Sequence, residues 1–449
     1  MTVPTRPTKL LPLRQLAVIS VYWFGLNAVW GGYEWFGQTQ IELIVGQGAR
    51  GTTSGILEML GALVAILVVP TVGSLSDYTV SRFGKRKGYI LGGSVFDLVF
   101  LTGLALIARA EPAGGGGEAL GTPALMLLYA LLYLGLQTSS NVAQGPYQGF
   151  VPDLVAEPQV GLASGAVGVM RMGGILGGAL IMMVAAAFDA WGAALILIGL
   201  LELSLALLTF WRVEDGPPPK PREGRSWAAV AREAWGLDVL HERSFLRMTA
   251  VRFLFLFGTG IFVNISAWYL RDSLGQTGGD RTLWGIAALV ALGVATLVAA
   301  IPAARISDRV GRKPVIWAAC LLASAGLAVM ASAPSPPLAI AGVFLMGVGS
   351  GAYIAVDWAL MTETIPRITS GRYMGLANIA NSISGPAGLL IAGTFVIDRF
   401  TAAGMLEMGP RVALVLGIPA LALAAVILIG VHPRRDPLAP EPLSGGLAT

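Results

Sequence analysis

The sequence has few of the residues that carry most enzymatic and redox chemistry. Its 449 residues include one cysteine, Cys320, and two histidines, His241 and His432. A single cysteine excludes an internal disulfide. The few thiol and imidazole groups also form no cluster with the spacing of metal ligands. We therefore expect no metal site, no cofactor and no enzymatic activity.

Charge is scarce as well. Charged residues make up 12% of the chain and hydrophobic residues 55%, whereas soluble domains carry about 25% charged residues. This composition predicts a protein whose main solvent and partner is the lipid bilayer. The formal excess of +4 is spread over short loops and does not indicate binding to nucleic acid.

Long apolar runs dominate what is present. A helix needs about 20 such residues to cross the hydrocarbon core of a bilayer. Twelve runs qualify, which predicts an all-α membrane protein without the alternating pattern of a β-barrel. We expect these spans at 16–38, 52–74, 88–109, 122–146, 161–187, 190–211, 249–270, 283–303, 314–332, 337–360, 373–397 and 410–431.

The basic residues predict the orientation of these spans. Most of the 30 lysines and arginines fall at the termini and in alternate loops, so the positive-inside rule places both termini in the cytoplasm. The first run is long and carries Trp23, Asn27 and Glu34, and no small-residue cleavage site follows a short apolar core. We therefore interpret it as the first span and not as a signal peptide.

The longest polar stretch divides the chain into two six-helix bundles, residues 1–211 and 249–449. The linker 212–248 begins with the stiff, proline-rich "WRVEDGPPPKPREGR". The following "SWAAVAREAWGLDVL" has the pattern of an amphipathic helix on the membrane surface. Joining the two bundles explains this linker better than binding a partner does.

One polar turn occurs twice. "GSLSDYTVSRFGKRKG" follows the second span and "ARISDRVGRKP" follows the eighth, which indicates an internal repeat of the kind found in transporters. We predict a cytoplasmic latch that holds the two halves together in one state, although the bases could also serve only to fix topology. The latch residues are Gly73, Asp77, Arg82, Gly84, Lys85 and Arg86 in the first copy, and Asp308, Gly311, Arg312 and Lys313 in the second.

This repeated turn resembles the loop signature of the major facilitator superfamily. The longer spacing of the first copy is similar to that of the glycoside–pentoside–hexuronide cation symporters. "NVAQGPYQGFVPDL" and "VDWALMTETIP" are similar to segments of the proton-coupled sucrose transporters and their bacterial branch. The resemblance implies two bundles of six helices, transport by alternating access, and a place in the bacterial cytoplasmic membrane.

Two departures from these relatives bear on the cargo. The melibiose branch binds sodium with two acids on span two, and the matching positions here are Ala65 and Val69. A sodium site of that design is therefore absent. Plant sucrose transporters also carry a base soon after the aspartate matched by Asp153. Here the nearest downstream base is Arg171, so sucrose itself is not implied.

Polar side chains recur at steps of three or four on the spans that line the cavity in this superfamily. Such a stripe suits a sugar, because aromatic rings stack on its C–H faces and amides and acids bind its hydroxyls. Contacts between helices are the alternative role for these polar groups. The candidate substrate-binding residues are Trp23, Asn27, Trp30, Glu34, Tyr133, Gln137, Asn141, Gln144, Asn264, Tyr353 and Asp357.

Coupling to protons requires a carboxylate, because we expect no histidine within the bilayer. The resemblance to sucrose transporters makes Asp153 the first candidate, and capping of span five is an equally supported role for it. Glu34 is the second candidate, and Arg171 is interpreted as the counter-ion of a carboxylate. We predict that Asp153→Asn abolishes accumulation against a gradient.

The sequence as a whole predicts a monomeric secondary transporter for proton-coupled symport of a sugar or glycoside. One alternative keeps the fold and makes the protein an efflux carrier for an apolar small molecule. A membrane enzyme or a sensor is the alternative from another class, and the sequence lacks both a catalytic constellation and a long soluble domain. No phosphate-binding GxxxxGK[ST] stretch is present, which excludes an ATP-driven pump built from this chain alone.

Overall fold

Helices make up most of the residues that the structure describes. The computed structural model describes residues 7–108, 122–214, 216, 221–222, 224–233, 243–364 and 370–431, without the side chains of 231–233, 362–364 and 370–377. No strand occurs among these residues. His241 and His432 lie outside them.

Twelve long helices follow one another along the chain and correspond to the twelve predicted spans. Their bounds, in order, are Tyr22–Val45, Arg50–Ser76, Lys87–Leu106, Thr122–Tyr147, Val160–Ala187, Trp191–Arg212, Arg243–Trp268, Gly278–Val310, Arg312–Ser332, Pro336–Thr364, Ser370–Ala392 and Met408–Ile429. Spans seven and eleven continue as short π-helical turns, Tyr269–Ser273 and Gly393–Ile397.

Span one differs most from its prediction. A helix Leu13–Ser20 precedes it, and the span itself runs to Val45, seven residues past the predicted end at 38. Eleven helices in the described part of the chain are long and apolar enough to cross a membrane, and span one is the long helix that misses this criterion. The C-terminal turns of span one carry Gln38, Gln40 and Glu42. Because these residues are polar, we placed the end of the span too early.

Spans one to six pack mainly with one another, as do spans seven to twelve. Glycines set the closest approaches within each half. A Cβ atom at Gly178 of span five would lie 1.9 Å from the Ala28 carbonyl oxygen of span one, so only glycine fits there. The two halves therefore form two bundles, which we call the first and the second half.

The linker between the halves lies against span two. A short helix, Trp227–Glu233, forms in the segment that predicted an amphipathic helix, and the rest of that segment lies outside the described residues. The Ser74 hydroxyl donates to the Val230 carbonyl at 3.3 Å, and Arg225 donates to the Tyr78 hydroxyl at 3.2 Å. These bonds hold the linker near the first copy of the repeated turn.

Successive spans run in opposite directions, so the turns that connect them lie at two opposite faces of the molecule. Both copies of the repeated turn lie at one face, which we call the basic face, together with the start of span one and the end of span twelve. The opposite face, which we call the distal face, carries the end of span one and the start of span two.

Candidate functional site

A pair of carboxylates lies within the first half. Glu34 of span one and Glu58 of span two are close enough for their charges to interact, and Glu58 forms a hydrogen bond with the Tyr133 hydroxyl of span four. The hydroxyls of Tyr33 and Tyr129 lie 2.7 Å apart, and the Tyr33 ring stacks on Tyr133 with centroids 5.0 Å apart. In the part of the chain that the structure describes, neither carboxylate pairs with a lysine or an arginine. The two acids thus meet inside a hydroxyl-rich network.

Two amides extend this network along span four. The side-chain nitrogen of Gln137 donates to the Tyr133 hydroxyl at 2.8 Å. Asn141 donates to the backbone and side-chain oxygens of Gln137 at 2.7 and 3.1 Å. Gly61 of span two provides the space, because a Cβ atom there would lie 2.4 Å from the Tyr133 hydroxyl. The spacing of four residues thus produces one continuous polar stripe.

Asn27 and Asn141 lie at similar depth. The rings of Trp23 and Tyr147 meet at the basic end of spans one and four, with centroids 5.3 Å apart. Asn27 follows Trp23 by four residues and Asn141 precedes Tyr147 by six, so each lies about 6–9 Å further into the membrane. The Asn27 amide donates to the Trp23 carbonyl at 2.8 Å. That both amides face one cavity stays a prediction.

The remaining polar candidates lie at the margins of this stripe. Trp23 is buried, whereas Trp30 and Gln144 are half-buried. Asn264 of span seven donates to the Gly260 carbonyl at 2.8 Å and faces Gly385 of span eleven, where a Cβ atom would lie 3.3 Å from its amide nitrogen. This amide therefore sits where two spans of the second half meet.

A small cavity lies between the two halves beside Glu34. Its volume is about 100 Å³, and its walls come from spans one, five, seven, eight and ten. Trp35 and Phe262 are among its aromatic walls, and Glu34, Gln38 and Ser266 supply polar groups. Glu34 is therefore the carboxylate that connects the tyrosine network to the boundary between the halves.

Asp357 and Tyr353 are buried and bonded inside the second half. Arg252 of span seven forms a hydrogen-bonded ion pair with Asp357, and the Tyr353 hydroxyl donates to the same carboxylate at 2.8 Å. Phe255 stacks on Tyr353 with centroids 3.8 Å apart. In this conformation Arg252 and Tyr353 therefore occupy the Asp357 carboxylate, and substrate contact by Asp357 and Tyr353 stays a prediction.

Arg171 also differs from its prediction. We expected a carboxylate partner for it, but among the described residues its guanidinium makes no ion pair and stacks over the Trp23 ring, 4.9 Å from the centroid. The side chain is exposed, although it lies eleven residues into span five. Arg171 is thus a cation at membrane depth whose contact is aromatic.

The first copy of the repeated turn is a compact cluster of ion pairs. Arg86 donates to Asp77 at 2.8 Å and to the Pro146 carbonyl at 3.0 Å. Lys85 and Arg86 contact the same oxygen of Asp153 at 2.8 and 3.0 Å. Both cations are nearly buried. Asp153, our first candidate for the proton carrier, therefore acts as a charge partner that joins this turn to the end of span four.

Two glycines determine the backbone path and the packing of this turn, whereas Arg82 lies at its surface. Gly84 has a positive φ of 94°, which favours glycine at this position. Gly73 packs on Gly145 of span four, where a Cβ atom on Gly73 would lie 3.4 Å from the Gly145 carbonyl oxygen. Arg82 is exposed and lies over the Phe83 ring at 4.5 Å. The partners named here belong to the first half, and a role of the cluster in holding the two halves together in one state stays a prediction.

The second copy of the turn is more open. Arg312 contacts Asp308 and the Ser307 hydroxyl at 2.5 Å each, and Lys313 donates to the Ile429 carbonyl at 3.1 Å. Gly311 has a φ of 91° and ends span eight. The Asp308 side chain is 64% exposed, against 26% for Asp77. The two copies share their sequence pattern and differ in burial.

This difference predicts unequal effects of the same substitution. Asp77→Asn removes a partner from a cluster of partly buried charges, where such a hydrogen bond contributes about 1.5–3 kcal/mol. Turnover in proteoliposomes should therefore fall about tenfold or more, with substrate affinity kept within a few-fold. Asp308→Asn removes a surface ion pair of about 0–1 kcal/mol and should change turnover little. Equal effects of both substitutions would reduce the cluster to a topology signal.

Charged residues that the sequence analysis missed close the distal face. Arg50 at the start of span two has a side chain with 0% exposure, and it pairs with Glu42 at 3.0 Å and with Asp272 of the second half. Arg271 pairs with Glu42 at 2.7 Å and with Asp272 at 2.7 Å. We call these four residues the distal lock, because two of the four pairs cross from one half to the other.

Backbone contacts reinforce the distal lock. Asp398 of the second half accepts hydrogen bonds from the Gly51 and Thr52 amides at 2.9 and 2.7 Å, which caps the free N–H groups of span two. Gly51 also meets Gly393, where a Cβ atom would lie 2.4 Å from the Gly51 carbonyl oxygen. The halves therefore meet tightly at the distal face.

Comparison with known proteins identifies the family. The family model described as the Major Facilitator Superfamily matches residues 17–389 and 248–447. The chain is 26% identical to the minor myo-inositol transporter IolF of Bacillus subtilis over 130 residues, which is 28% of each protein. It is 23% identical to the multi-drug resistance efflux pump PmrA of Streptococcus pneumoniae over 77% of this chain and 80% of the pump. A match to the sucrose transport protein SUC4 of Arabidopsis thaliana, at 27% identity, covers 22% of this chain and 20% of that protein.

Solved structures show the same fold. A bacterial homologue of the lysosomal transporter Spinster, in an inward-facing and occupied conformation, has a TM-score of 0.68 and 13% identity over 93% of this chain and 96% of its own. A D-xylose–proton symporter has a TM-score of 0.64 and 16% identity over 94% and 97%. The twelve spans, the repeated turn and the family model together establish that the chain belongs to the Major Facilitator Superfamily and is a membrane transporter, not an enzyme.

Proposed function

We propose that the protein is a proton-coupled symporter for a sugar or glycoside. The observation that carries this proposal is the polar stripe on spans one, two and four. Glu58, Tyr133, Gln137 and Asn141 form one hydrogen-bonded chain, and the bonded hydroxyls of Tyr33 and Tyr129 and the Glu34 carboxylate lie beside it. Groups of this kind match a ligand that presents many hydroxyls, since each hydroxyl can both donate and accept. The substrate would bind beside this stripe, between the two halves.

The similar proteins support a polyhydroxylated cargo. By their names, one carries myo-inositol, one carries sucrose, and one couples D-xylose to protons. These solutes share a ring or chain with several hydroxyl groups. The sequence matches to the inositol and sucrose transporters span less than a third of each chain, so they indicate a class of substrate and no particular sugar.

Glu34 and Glu58 are our proposed proton carriers. Two ionised carboxylates close together in an apolar region repel each other, and one proton held between them removes most of that repulsion. Asp153 is less suited to this task in the present conformation, because Lys85 and Arg86 already neutralise it. We therefore assign Asp153 to the charge cluster of the basic face and transfer the coupling role to the glutamate pair.

The distal lock and the capping by Asp398 support a state that is closed at the distal face. By the positive-inside rule the basic face lies in the cytoplasm, so a carrier closed at the distal face would open inward. Alternating access would then break the distal lock and bring the basic faces of the two halves together. The bacterial cytoplasmic membrane and a monomeric carrier remain parts of this proposal.

Efflux of an apolar compound is a second candidate. The cavity beside Glu34 is lined mainly by aromatic and aliphatic side chains, which suits an apolar or amphipathic ligand better than a sugar. The similarity to a multi-drug efflux pump covers most of both chains. Glu34 would then bind a cationic group or exchange a proton for the drug.

Substitution of the stripe's amides distinguishes these candidates. Asn141→Ala removes a group that can bond a sugar hydroxyl, so affinity should fall by up to about tenfold, the equivalent of 0.5–1.5 kcal/mol. Asn27→Ala should act similarly. The assay is equilibrium binding of a panel of labelled sugars to the purified protein.

The control lies on the same helix. Thr138 is exposed on the other side of span four and bonds only its own helix at the Leu134 carbonyl, so Thr138→Ala should leave binding unchanged. Sugar binding that survives both asparagine substitutions would move the site elsewhere. Binding of apolar cations in place of sugars would favour the efflux candidate.

A further inference from the structure

A second pair of acids lies inside the first half, away from the cavity. Asp97 of span three and Glu202 of span six are both 0% exposed, and their carboxyl groups are hydrogen-bonding neighbours. Spans one and four complete the enclosure around them. Neither acid takes part in the transport site described above.

Hydroxyl groups surround this pair. The Tyr22 hydroxyl donates to Glu202 Oε1 at 2.8 Å and lies 2.7 Å from the Ser94 hydroxyl, which itself lies 3.3 Å from the same oxygen. The Ser139 hydroxyl donates to Asp97 Oδ1. The titratable group that faces the acids is Tyr22, and among the described residues no lysine or arginine pairs with either acid.

Each acid retains one oxygen without a donor. Asp97 Oδ2 and Glu202 Oε2 are buried and have no hydrogen-bond partner. Two ionised carboxylates offer only acceptors, so both oxygens would stay unsatisfied, with no lysine or arginine of the described residues paired to either acid. A single proton between the two groups supplies the missing donor and removes one of the two charges.

We propose that Asp97 and Glu202 share one proton that stays bound throughout the transport cycle. The pair then carries one negative charge, which the Tyr22, Ser94 and Ser139 hydroxyls solvate. It bonds spans three and six to each other, where polar contacts stabilise helix packing in a bilayer. This proton is distinct from the one that the carrier would transport.

Packing keeps the proton in place. A Cβ atom at Gly25 of span one would lie 2.9 Å from the Glu202 Cα atom, and one at Gly93 of span three would lie 2.6 Å from the Ser139 carbonyl oxygen. Together with the 0% exposure of both acids, these close approaches separate the pair from bulk water. All four enclosing spans belong to the first half, so a rocking motion between the halves does not expose the pair.

Infrared spectroscopy of the reconstituted protein tests the proposal. The wild-type spectrum should contain a carbonyl stretching band from a protonated carboxylic acid. This band should be missing from the spectra of Asp97→Asn and of Glu202→Gln. Each amide has the shape of the protonated acid and can donate to the remaining carboxylate, so melting temperatures should stay within about 3 °C of wild type. The double variant should show no further loss of this band.

Two other results would overturn the proposal. If neither single variant loses a band, both acids are ionised in the wild-type protein. If the double variant loses more of the band than either single variant does, both acids are protonated. Should the amide variants fail to fold, Tyr22→Phe keeps both acids and should shift the band without removing it. The band should also keep its position after transfer to D₂O, whereas rapid exchange would show that the proton is open to solvent.

Discussion

Glutamine in place of Glu34 or Glu58 is expected to abolish accumulation of substrate against its gradient. Glutamine keeps the size of the side chain and cannot release a proton, so the carrier should still bind substrate and reorient. With one proton per substrate, a gradient of one pH unit supports about tenfold accumulation, because one unit corresponds to 1.36 kcal/mol. In either variant, the accumulation ratio should fall to about one, while exchange of labelled for unlabelled substrate continues.

A matched control uses the same chemical change at the enclosed acid pair. Glu202→Gln lies in the same half, where the side chain reaches neither face, and should leave accumulation intact. Asp153→Asn tests the alternative that the sequence favoured. Full accumulation by both glutamate variants, with a loss in Asp153→Asn, would return the coupling role to Asp153.

Removal of Asp272 is expected to open the distal face. Asp272→Asn leaves Arg50 buried with one acidic partner. Removing one partner of a buried ion pair costs about 3–5 kcal/mol. The cost falls on the closed state alone if water reaches these groups in the open state. The equilibrium should therefore shift by about 10²-fold or more toward a state open at the distal face.

Distances between spin labels would measure this opening. Gly48 and Gly279 lie at the distal face in different halves, and a Cβ atom at either position would meet nothing within 4 Å. Cysteines there should accept labels, and the natural Cys320 is buried. The separation should increase in Asp272→Asn and not in Asp280→Asn, where the replaced acid is exposed on the same face. An unchanged separation would show that the distal lock does not hold the halves together.

Much of the fold could be predicted because its signals are local. Apolar runs marked the spans, and the repeated turn marked the relation between the halves. The four-residue spacing of Gln137 and Asn141 predicted a shared face, and their hydrogen bonds follow it. Span one was placed less well, because the same polar residues that make it a candidate cavity wall also lower its hydropathy.

Pairing across long separations could not be predicted. Arg50 and Asp272 are 222 residues apart, and each stands at a helix end, where a charge commonly fixes topology. Arg252 and Asp357 are 105 residues apart, so Asp357 had the pattern of a free acid in a transport span. The same limit applies to Asp153, because its contacts with Lys85 and Arg86 depend on how the turn folds against span four.

Uptake into proteoliposomes under separate ion gradients tests the central claim most directly. The protein is reconstituted and offered labelled sugars with an inward pH gradient, an inward sodium gradient, or neither. We predict about tenfold accumulation of at least one sugar for each unit of pH gradient and none from sodium, since Ala65 and Val69 offer no side-chain oxygen to that ion. Uptake that follows sodium and ignores pH would contradict the account.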